Sequence, residues 1–392
     1  MYEVFVGLDI SKGSFAACAI GQEQDKIFEF SAPMNMEGFR KLTEHLSKFS
    51  KDSILIGQES SGCYHINLSA FLSDKGYQTV IINPLLISNF MKLSLRKTKT
   101  DRKDAFAIAC FLTMFHDSLP QSCFLSTDFR ELARERERLS SEIARLKNDI
   151  EKLLSVTFPE LLKATNVYSR AILNLLKHHP SAWMIKSLPT SEIAKLLKPN
   201  GSGRKPRISP EELISLAKNS IASMSPGREL ILSQKASRLL LFEEELKKLT
   251  DMLAETCRKC ALEDLEILKS IKGIGDITAL HFLAEVGDVS RFENCKKLIA
   301  YAGLDPTVHQ SGKFEGQSRV SKRGNRHLRR VLWLMAAKVA RYNQVFREYF
   351  LRRRAEGISY KKAILAVAHK LIRVIFAVLT HKTYFLAKKN SL

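Results

Sequence analysis

From Tyr2 to Phe115, short apolar runs alternate with amphipathic stretches, the pattern of an α/β layer fold. Tyr2–Asp9, Ser14–Ile20 and Lys26–Phe30 have strand length and composition, and Gly21 with its polar neighbours supplies one turn, so a three-stranded meander is expected. Met36–Phe49 places Phe39, Leu42 and Leu46 on one helical face. Ser53–Gln58 is a short apolar strand ending at Glu59. A helix is expected from about Cys63 to Ser73, then a strand over Thr79–Ile82 stopped by Asn83-Pro84, then a helix over Asp101–Phe115.

Beyond Asp128 the pattern becomes long and helical. Leu132, Leu139, Leu146 and Leu153 recur every seven residues, with Ile143 and Ile150 between them and Arg136 at the remaining a position. Leu at d with Ile at a favours two-stranded coiled coils. A second seam runs through Leu239, Phe242, Leu246, Leu249 and Leu253. Two antiparallel arms satisfy it, and so does one arm dimerising with its copy. Residues 155–228, rich in proline, form a helical insertion whose Lys198–Arg207 segment has the composition of a flexible basic loop. After Leu265, Ser270-Ile271-Lys272-Gly273-Ile274-Gly275-Asp276 resembles a helix-hairpin-helix, in which Lys272, Gly273 and Gly275 would meet a phosphate at a helix N-terminus. An ordinary glycine-containing helix connection explains it nearly as well.

These patterns give an α/β plus all-α chain. A domain at 1–117 precedes a coiled-coil region at 118–264, a mostly helical C-terminal domain at 265–345 and a basic helical tail at 346–392. The order of elements in the first domain is that of the ribonuclease H-like fold.

Charge changes the picture most at the C-terminal end. The 392 residues carry 62 Lys and Arg against 41 Asp and Glu, and from Lys296 to Leu392 the balance is 22 to 4. A basic block of this size points to a polyanion, most often nucleic acid; a solubilising surface would need far less. Seven cysteines, an odd number, do not make a disulfide framework, and a reducing cytoplasm fits best. Met1 leads directly into a strand pattern, so no signal peptide is expected. Ala363–Leu379 is apolar but interrupted by His369, Lys370 and Arg373, which favours a buried helix over a membrane span.

Four carboxylates carry the candidate chemistry. Asp9 sits in an apolar strand, where an uncompensated charge costs several kcal/mol. Glu59 closes the strand that a ribonuclease H-like sheet sets beside the first. Asp101 and Asp104 share one face at the start of a helix; alone, both could be ordinary helix-start residues. Together the four need a cation, and hard oxygen ligands point to Mg2+ or Mn2+, the ions that assist phosphodiester cleavage in pairs.

Gly7-Leu8-Asp9-Ile10-Ser11-Lys12, Glu59-Ser60-Ser61-Gly62 and Lys99-Thr100-Asp101-Arg102-Lys103-Asp104-Ala105 resemble the Asp-Glu-Asp-Asp transposases of the IS110/IS1111 insertion-sequence family, whose N-terminal domain is similar to the RuvC Holliday-junction resolvase. Ile271-Lys272-Gly273-Ile274-Gly275, Phe292, Tyr301-Ala302-Gly303-Leu304-Asp305-Pro306, Ser311-Gly312-Lys313 and Ser321-Lys322-Arg323-Gly324-Asn325 resemble that family's second domain. The family more often has an apolar residue where Asp305 stands. The resemblance implies a recombinase that excises and inserts its own element in DNA, in some members guided by a structured RNA. It also implies a serine that becomes joined to DNA while the acidic cluster supplies metal ions. Ser311 matches the nucleophile's motif, with Ser321 second. Lys313, Arg319, Lys322, Arg323 and Arg326 crowd the same loop and suit a scissile phosphate. Because the two motif sets stand at opposite ends of a coiled coil, a homodimer or tetramer whose active site joins different protomers is expected, acting in the bacterial cytoplasm or nucleoid with no membrane. The competing readings are a metal-only structure-selective nuclease and a non-catalytic nucleic-acid-binding scaffold.

Weaker candidates fall away. Cys257 and Cys260 have zinc-ligand spacing without a second pair, and Cys260 is assigned to the coiled-coil seam. His178-His179 lack nearby acids in sequence. Gly201-Ser202-Gly203-Arg204-Lys205 lacks Walker spacing, so no nucleotide-driven step is expected.

Overall fold

The computed structural model describes residues 2–59, 63–82, 84–91, 101–118, 125–198, 207–307, 310–311, 314–315 and 319–386. Two compact units make up the chain, Met1–Phe124 and Leu125–Leu392.

In the first unit, β1 (Val4–Ile10), β2 (Ser14–Ile20) and β3 (Lys26–Pro33) form the antiparallel meander, followed by α1 (Met36–Leu46), β4 (Ile54–Glu59), α2 (His65–Asp74), β5 (Gln78–Ile82), α3 (Pro84–Met91) and α4 (Asp101–Phe115). The sheet order is β3-β2-β1-β4-β5, with β4 parallel to β1 and β5 parallel to β4. A mixed five-stranded sheet of this kind is compatible with a ribonuclease H-like domain. The helix α3 departs from the sequence reading. Pro84, read as a stop, is the first residue of this helix, where its missing N–H costs nothing.

Both faces of the sheet are covered, which is why β1 is apolar almost throughout. Val4, Val6, Leu8 and Ile10 share a core with Phe39, Leu42 and Leu46 of α1 and Leu68 and Leu72 of α2. On the other face Phe5 and Leu55 pack with Ala105, Ile108, Ala109 and Leu112 of α4. Gly7 makes that contact close: a Cβ there would lie 2.0 Å from the Ala105 carbonyl oxygen and 2.6 Å from the Ala109 nitrogen. The Phe5 ring meets His116, just past the C-terminal end of α4, with centroids 5.3 Å apart. So α4 runs antiparallel to β1, its first turn towards Asp9.

The second unit holds two cores. The helices α5 (Leu125–Thr157) and α11 (Pro226–Cys260) lie antiparallel, tied by Lys147–Glu243 at 3.0 Å and Lys235–Asp149 at 2.7 Å. The two seams therefore meet within one chain. Leu139, Ile143, Leu146 and Ile150 face Leu232, Ala236 and Leu239, while Arg136 donates to Thr250 Oγ1 at 2.8 Å instead of packing. Between them α6 (Leu161–Ala164), α7 (Arg170–His178), α8 (Ala182–Ile185), α9 (Thr190–Leu196) and α10 (Pro210–Lys218) fold onto the same core. The prolines punctuate these helices: Pro210 begins α10 behind a Ser209–Glu212 capping box. Residues 199–206 of the basic loop lie outside the described residues.

The other core gathers α12 (Leu262–Lys269), α13 (Asp276–Val286) and α14 (Cys295–Tyr301), the two-residue strands β6 (Pro306–Thr307), β7 (Gln310–Ser311), β8 (Phe314–Glu315) and β9 (Arg319–Val320), and then α15 (Arg326–Tyr342), α16 (Gln344–Ala355) and α17 (Tyr360–Thr380). By length and composition α17 could cross a membrane. Its residues Ile364, Val367, Leu371, Ile372 and Ile375 are buried, and the helix packs on α12, α14, α15 and α16, as a core helix does.

Candidate active site and nucleic-acid interface

Register decides where the carboxylates of the first unit go. Leu8 pairs with Gln58 in the parallel β1–β4 ladder, so one step further on Asp9, next to last in β1, and Glu59, last in β4, lie at the same end of neighbouring strands. Asp9 lies on the face of Phe5 and Gly7, and Glu59 on the face of Leu55 and Gly57, the side covered by α4. The first turn of α4 carries Asp101, exposed, and Asp104, 8% exposed. Asp9 and Glu59 thus lie on the face that α4 covers, and the course of α4 turns the helix start that carries Asp101 and Asp104 towards that same end of the sheet. Among the described residues no three His, Cys, Asp or Glu side chains stand close enough to form a finished metal cage. The donor set itself, carboxylate oxygens alone, fits a hard divalent cation.

The basic loop of the second unit is built on nested ladders. Pro306 pairs with Val320 and Thr307 with Arg319; within that span Gln310 pairs with Glu315 and Ser311 with Phe314. Ser311 therefore sits at the inner end of the inner ladder. Lys313 lies outside the described residues, and Arg319 is placed only by its strand position. Ser321 closes the outer ladder at its base. Its hydroxyl donates to Asp305 Oδ1 at 2.6 Å and its N–H to the Asp305 carbonyl at 2.9 Å. The Arg323 N–H donates to Ser321 Oγ at 3.3 Å. A hydroxyl that gives its proton to a carboxylate and also accepts an N–H is spent on holding the loop. Asp305 thereby acquires a structural task.

The loop then passes through Lys322, whose φ of 53° is left-handed, and Gly324, where a Cβ would lie 2.6 Å from the Tyr301 carbonyl oxygen. Asn325 caps α15, its Oδ1 accepting from the His327 and Leu328 N–H groups at 3.0 and 3.1 Å. Its amide donates to Glu285 Oε2 at 2.6 Å.

Glu285 is the anchor that the sequence reading missed. Its side chain is 1% exposed on α13, and Arg134 of α5 grips it through two bonds of 2.7 and 2.8 Å. Burial alone would raise its pKa; the Arg134 and Asn325 hydrogen bonds outweigh burial and hold it below the usual carboxylate value. A depressed pKa adds stability above the unfolded value of about 4.3 and loses it as pH falls through the folded one. The melting temperature of the full chain should therefore drop on acidification below that range, and less so in Glu285→Gln. At neutral pH that variant should cost about 2–3 kcal/mol, the lower end because Arg134 is half in water. Equal melting of both proteins across the pH series would refute the anchor. One clue was present in the sequence, a lone acid in the apolar run Ile277–Val286.

The hairpin-like turn between α12 and α13 divides its roles. Gly273, at φ 107°, lets the turn approach α15 with a Cβ position 3.0 Å from Val339 Cα. Gly275 faces open space and Lys272 is exposed, so the N-terminus of α13 is accessible, with Asp276 paired to Lys269 at 3.0 Å. The cysteine pair differs from the sequence reading. Cys257, four residues after Leu253, is the buried member and its thiol is pushed up to about 12 by burial; Cys260 is exposed. His179 has an acid nearby after all, Glu192 at 4.0 Å.

Comparison with known proteins finds a match at each end of the chain, the first running through the start of the second unit. Residues 6–159 match the transposase family model of the IS110 Asp-Glu-Asp-Asp type, and residues 265–351 match the model described as transposase of the IS116/IS110/IS902 family. The chain is 25% identical to the 43.6 kDa protein of insertion element IS110 from Streptomyces coelicolor, over 97% of this chain and 95% of that one. It is 23% identical to the pilin gene-inverting protein of Moraxella bovis, over 98% of each. With the transposase of IS1111A from Coxiella burnetii it shares 31% identity over 44% of this chain and 48% of that one. Two transposase family models matched in order, with relatives from insertion elements and gene inversion along nearly the whole chain, make this chain a DNA transposase/recombinase belonging to the IS110/IS116 insertion-sequence family.

Proposed function

We propose that the enzyme cleaves and rejoins DNA through a serine nucleophile, Ser311, assisted by divalent metal at Asp9, Glu59, Asp101 and Asp104 on a RuvC-like domain. The observation that carries the metal half is the close seating of α4 on Gly7, which sets the Asp101–Asp104 turn over the end of β1 where Asp9 stands. A bound Mg2+ or Mn2+ supplies charge neutralisation at the scissile phosphate. For the serine half, the Ser321 hydroxyl is engaged by Asp305, whereas Ser311 occupies the inner ladder of a loop rich in cations. In the proposed step the Ser311 Oγ–P bond forms as the DNA P–O bond breaks. The serine proton leaves to a base or solvent, and the departing strand end takes up a proton as a hydroxyl. A second DNA end later attacks the phosphoserine link with its own hydroxyl and releases the serine. Lys313, Arg319, Lys322, Arg323 and Arg326 hold phosphate, and Lys272, Gly273 and Gly275 offer a second phosphate contact.

The full-length matches to an insertion-element protein and to a gene-inverting protein support rejoining over simple cutting. By family resemblance the reaction takes place in the cytoplasm and uses a structured guide RNA; the homodimer or tetramer expected through the coiled coil now rests on the separation of the two motif sets, because the two seams pair within one chain. Incubating the full chain, co-purified RNA included, with supercoiled DNA carrying the element ends tests the proposal. A denaturant-resistant protein–DNA adduct should appear with Mg2+ or Mn2+ and disappear with chelator. Metal-dependent cleavage without any adduct would favour water attack and a nuclease. Cleavage in neither condition would favour a scaffold.

A further inference from the structure

Beside the basic loop, Arg329, Arg330 and Trp333 of α15 take no part in the cleavage scheme, although they adjoin Lys322 and Arg326, which do. On α15, Arg326, Arg329, Arg330 and Trp333 follow at i, i+3, i+4 and i+7 and so share a face. With Lys322 before the helix and Leu365 of α17 they line a pocket of about 310 Å³. That volume is at the low end for small-ligand sites, about 300–1,000 Å³, with room for one base. No acid lines it. The adjoining groove on α5 and α15 is, by contrast, mixed, with Glu131, Glu135, Glu137 and Glu142 among its arginines.

The cations are not equally committed. Arg330 is paired with Glu137 at 2.6 Å, and Arg329 gives one N–H to the Ala302 carbonyl at 3.0 Å. Arg326 and Lys322 are exposed, with Lys322 held in its left-handed conformation by its N–H to the Gly303 carbonyl at 3.2 Å. A lysine kept at positive φ stores strain that a turn glycine would avoid, which marks its side chain as wanted at this rim. Trp333 rests partly on the core, leaving the rest of its indole to wall the pocket.

We infer that this pocket receives one unpaired nucleotide of the DNA strand being processed, its phosphate at Lys322 and Arg326 and its base stacked on Trp333. The inference rests on the recombinase reading and adds a strand-capture site to it. Uncompensated cations beside an aromatic wall suit a polyanion with flat apolar bases, and a base can reach an indole face only when it is out of its pair. Such a site would hold a strand open next to the serine loop, where a paired strand could not be handed to a new partner.

The chain has two tryptophans, so Trp183→Phe leaves Trp333 as sole indole reporter. In the full-length Trp183→Phe protein, a single-stranded oligothymidylate should quench Trp333 emission saturably, and the matching duplex should not. Trp333→Leu should weaken oligothymidylate binding about five- to a hundredfold, the range of one lost base stack, and Trp333→Phe should restore most of it. Tight binding with Trp333 emission unchanged, or equal quenching by duplex, would overturn the pocket. Equal or tighter binding of oligouridylate would overturn its assignment to DNA. Binding of no nucleic acid at all, duplex included, would remove the recombinase reading and this site together.

Discussion

Replacing Ser311 by alanine should abolish the protein–DNA adduct and lower strand exchange by at least about a thousandfold, as removal of a nucleophile does elsewhere. Alanine keeps the backbone pairing of Ser311 with Phe314, so the loss would belong to the hydroxyl. Ser321→Ala makes the contrast. It removes a 2.6 Å bond to Asp305 but leaves the Ser321 N–H on the Asp305 carbonyl, so the outer ladder should loosen by about 1–2 kcal/mol without losing its pairing. That variant should still form the adduct, in lower yield. The two assignments exchange if Ser321→Ala forms no adduct and Ser311→Ala does, and serine chemistry itself fails if both variants exchange strands normally.

Much of the first unit was legible because its code is local. The short continuous apolar runs of β1, β2 and β4 and the amphipathic face of α1 need nothing beyond neighbouring residues. What failed locally was punctuation. Asn83-Pro84 ends β5 and begins α3 at once, since proline both leaves a ladder and opens a helix. The heptads of α5 and α11 named their partners as apolar seams but left open whether the partner was the same chain. Ion pairs such as Lys235–Asp149 between the antiparallel helices decide it, and pairing across 86 residues is invisible to a heptad count.

The second unit's site was legible in its motifs and not in its supports. Ser321, Lys322 and Asn325 stand out in sequence as a polar, glycine-containing loop. That Asp305 latches Ser321, and that Glu285 ties the Asn325 cap to Arg134, depends on contacts across 16, 40 and 151 residues. Trp333 gives no signal at all in the sequence, because a tryptophan in an amphipathic helix reads as core. Only its place at the end of a row of arginines marks it as a wall.

The largest structural penalty should come from a residue with no side chain. Gly7→Val is expected to destabilise the first unit by more than about 4 kcal/mol, beyond the usual range for a single substitution. The new Cβ would fall 2.0 Å from the Ala105 carbonyl oxygen and 2.6 Å from the Ala109 nitrogen, and both are backbone atoms of α4 that no rotamer can move aside. Relief requires the helix to retreat, which uncovers Phe5 and Leu55 and lifts Ala105, Ile108 and Ala109 from their core. It also carries the Asp101–Asp104 turn away from Asp9, so metal-dependent cleavage should disappear even in the fraction that remains folded. Gly13→Ala is the matched control, since nothing lies within 4 Å of its added Cβ. Thermal melting of both variants with cleavage assays in Mg2+ separates the cases. A Gly7→Val protein that melts and cleaves like the parent would mean that α4 does not sit on β1, and the proposed metal site at Asp9, Glu59, Asp101 and Asp104 would fall with it.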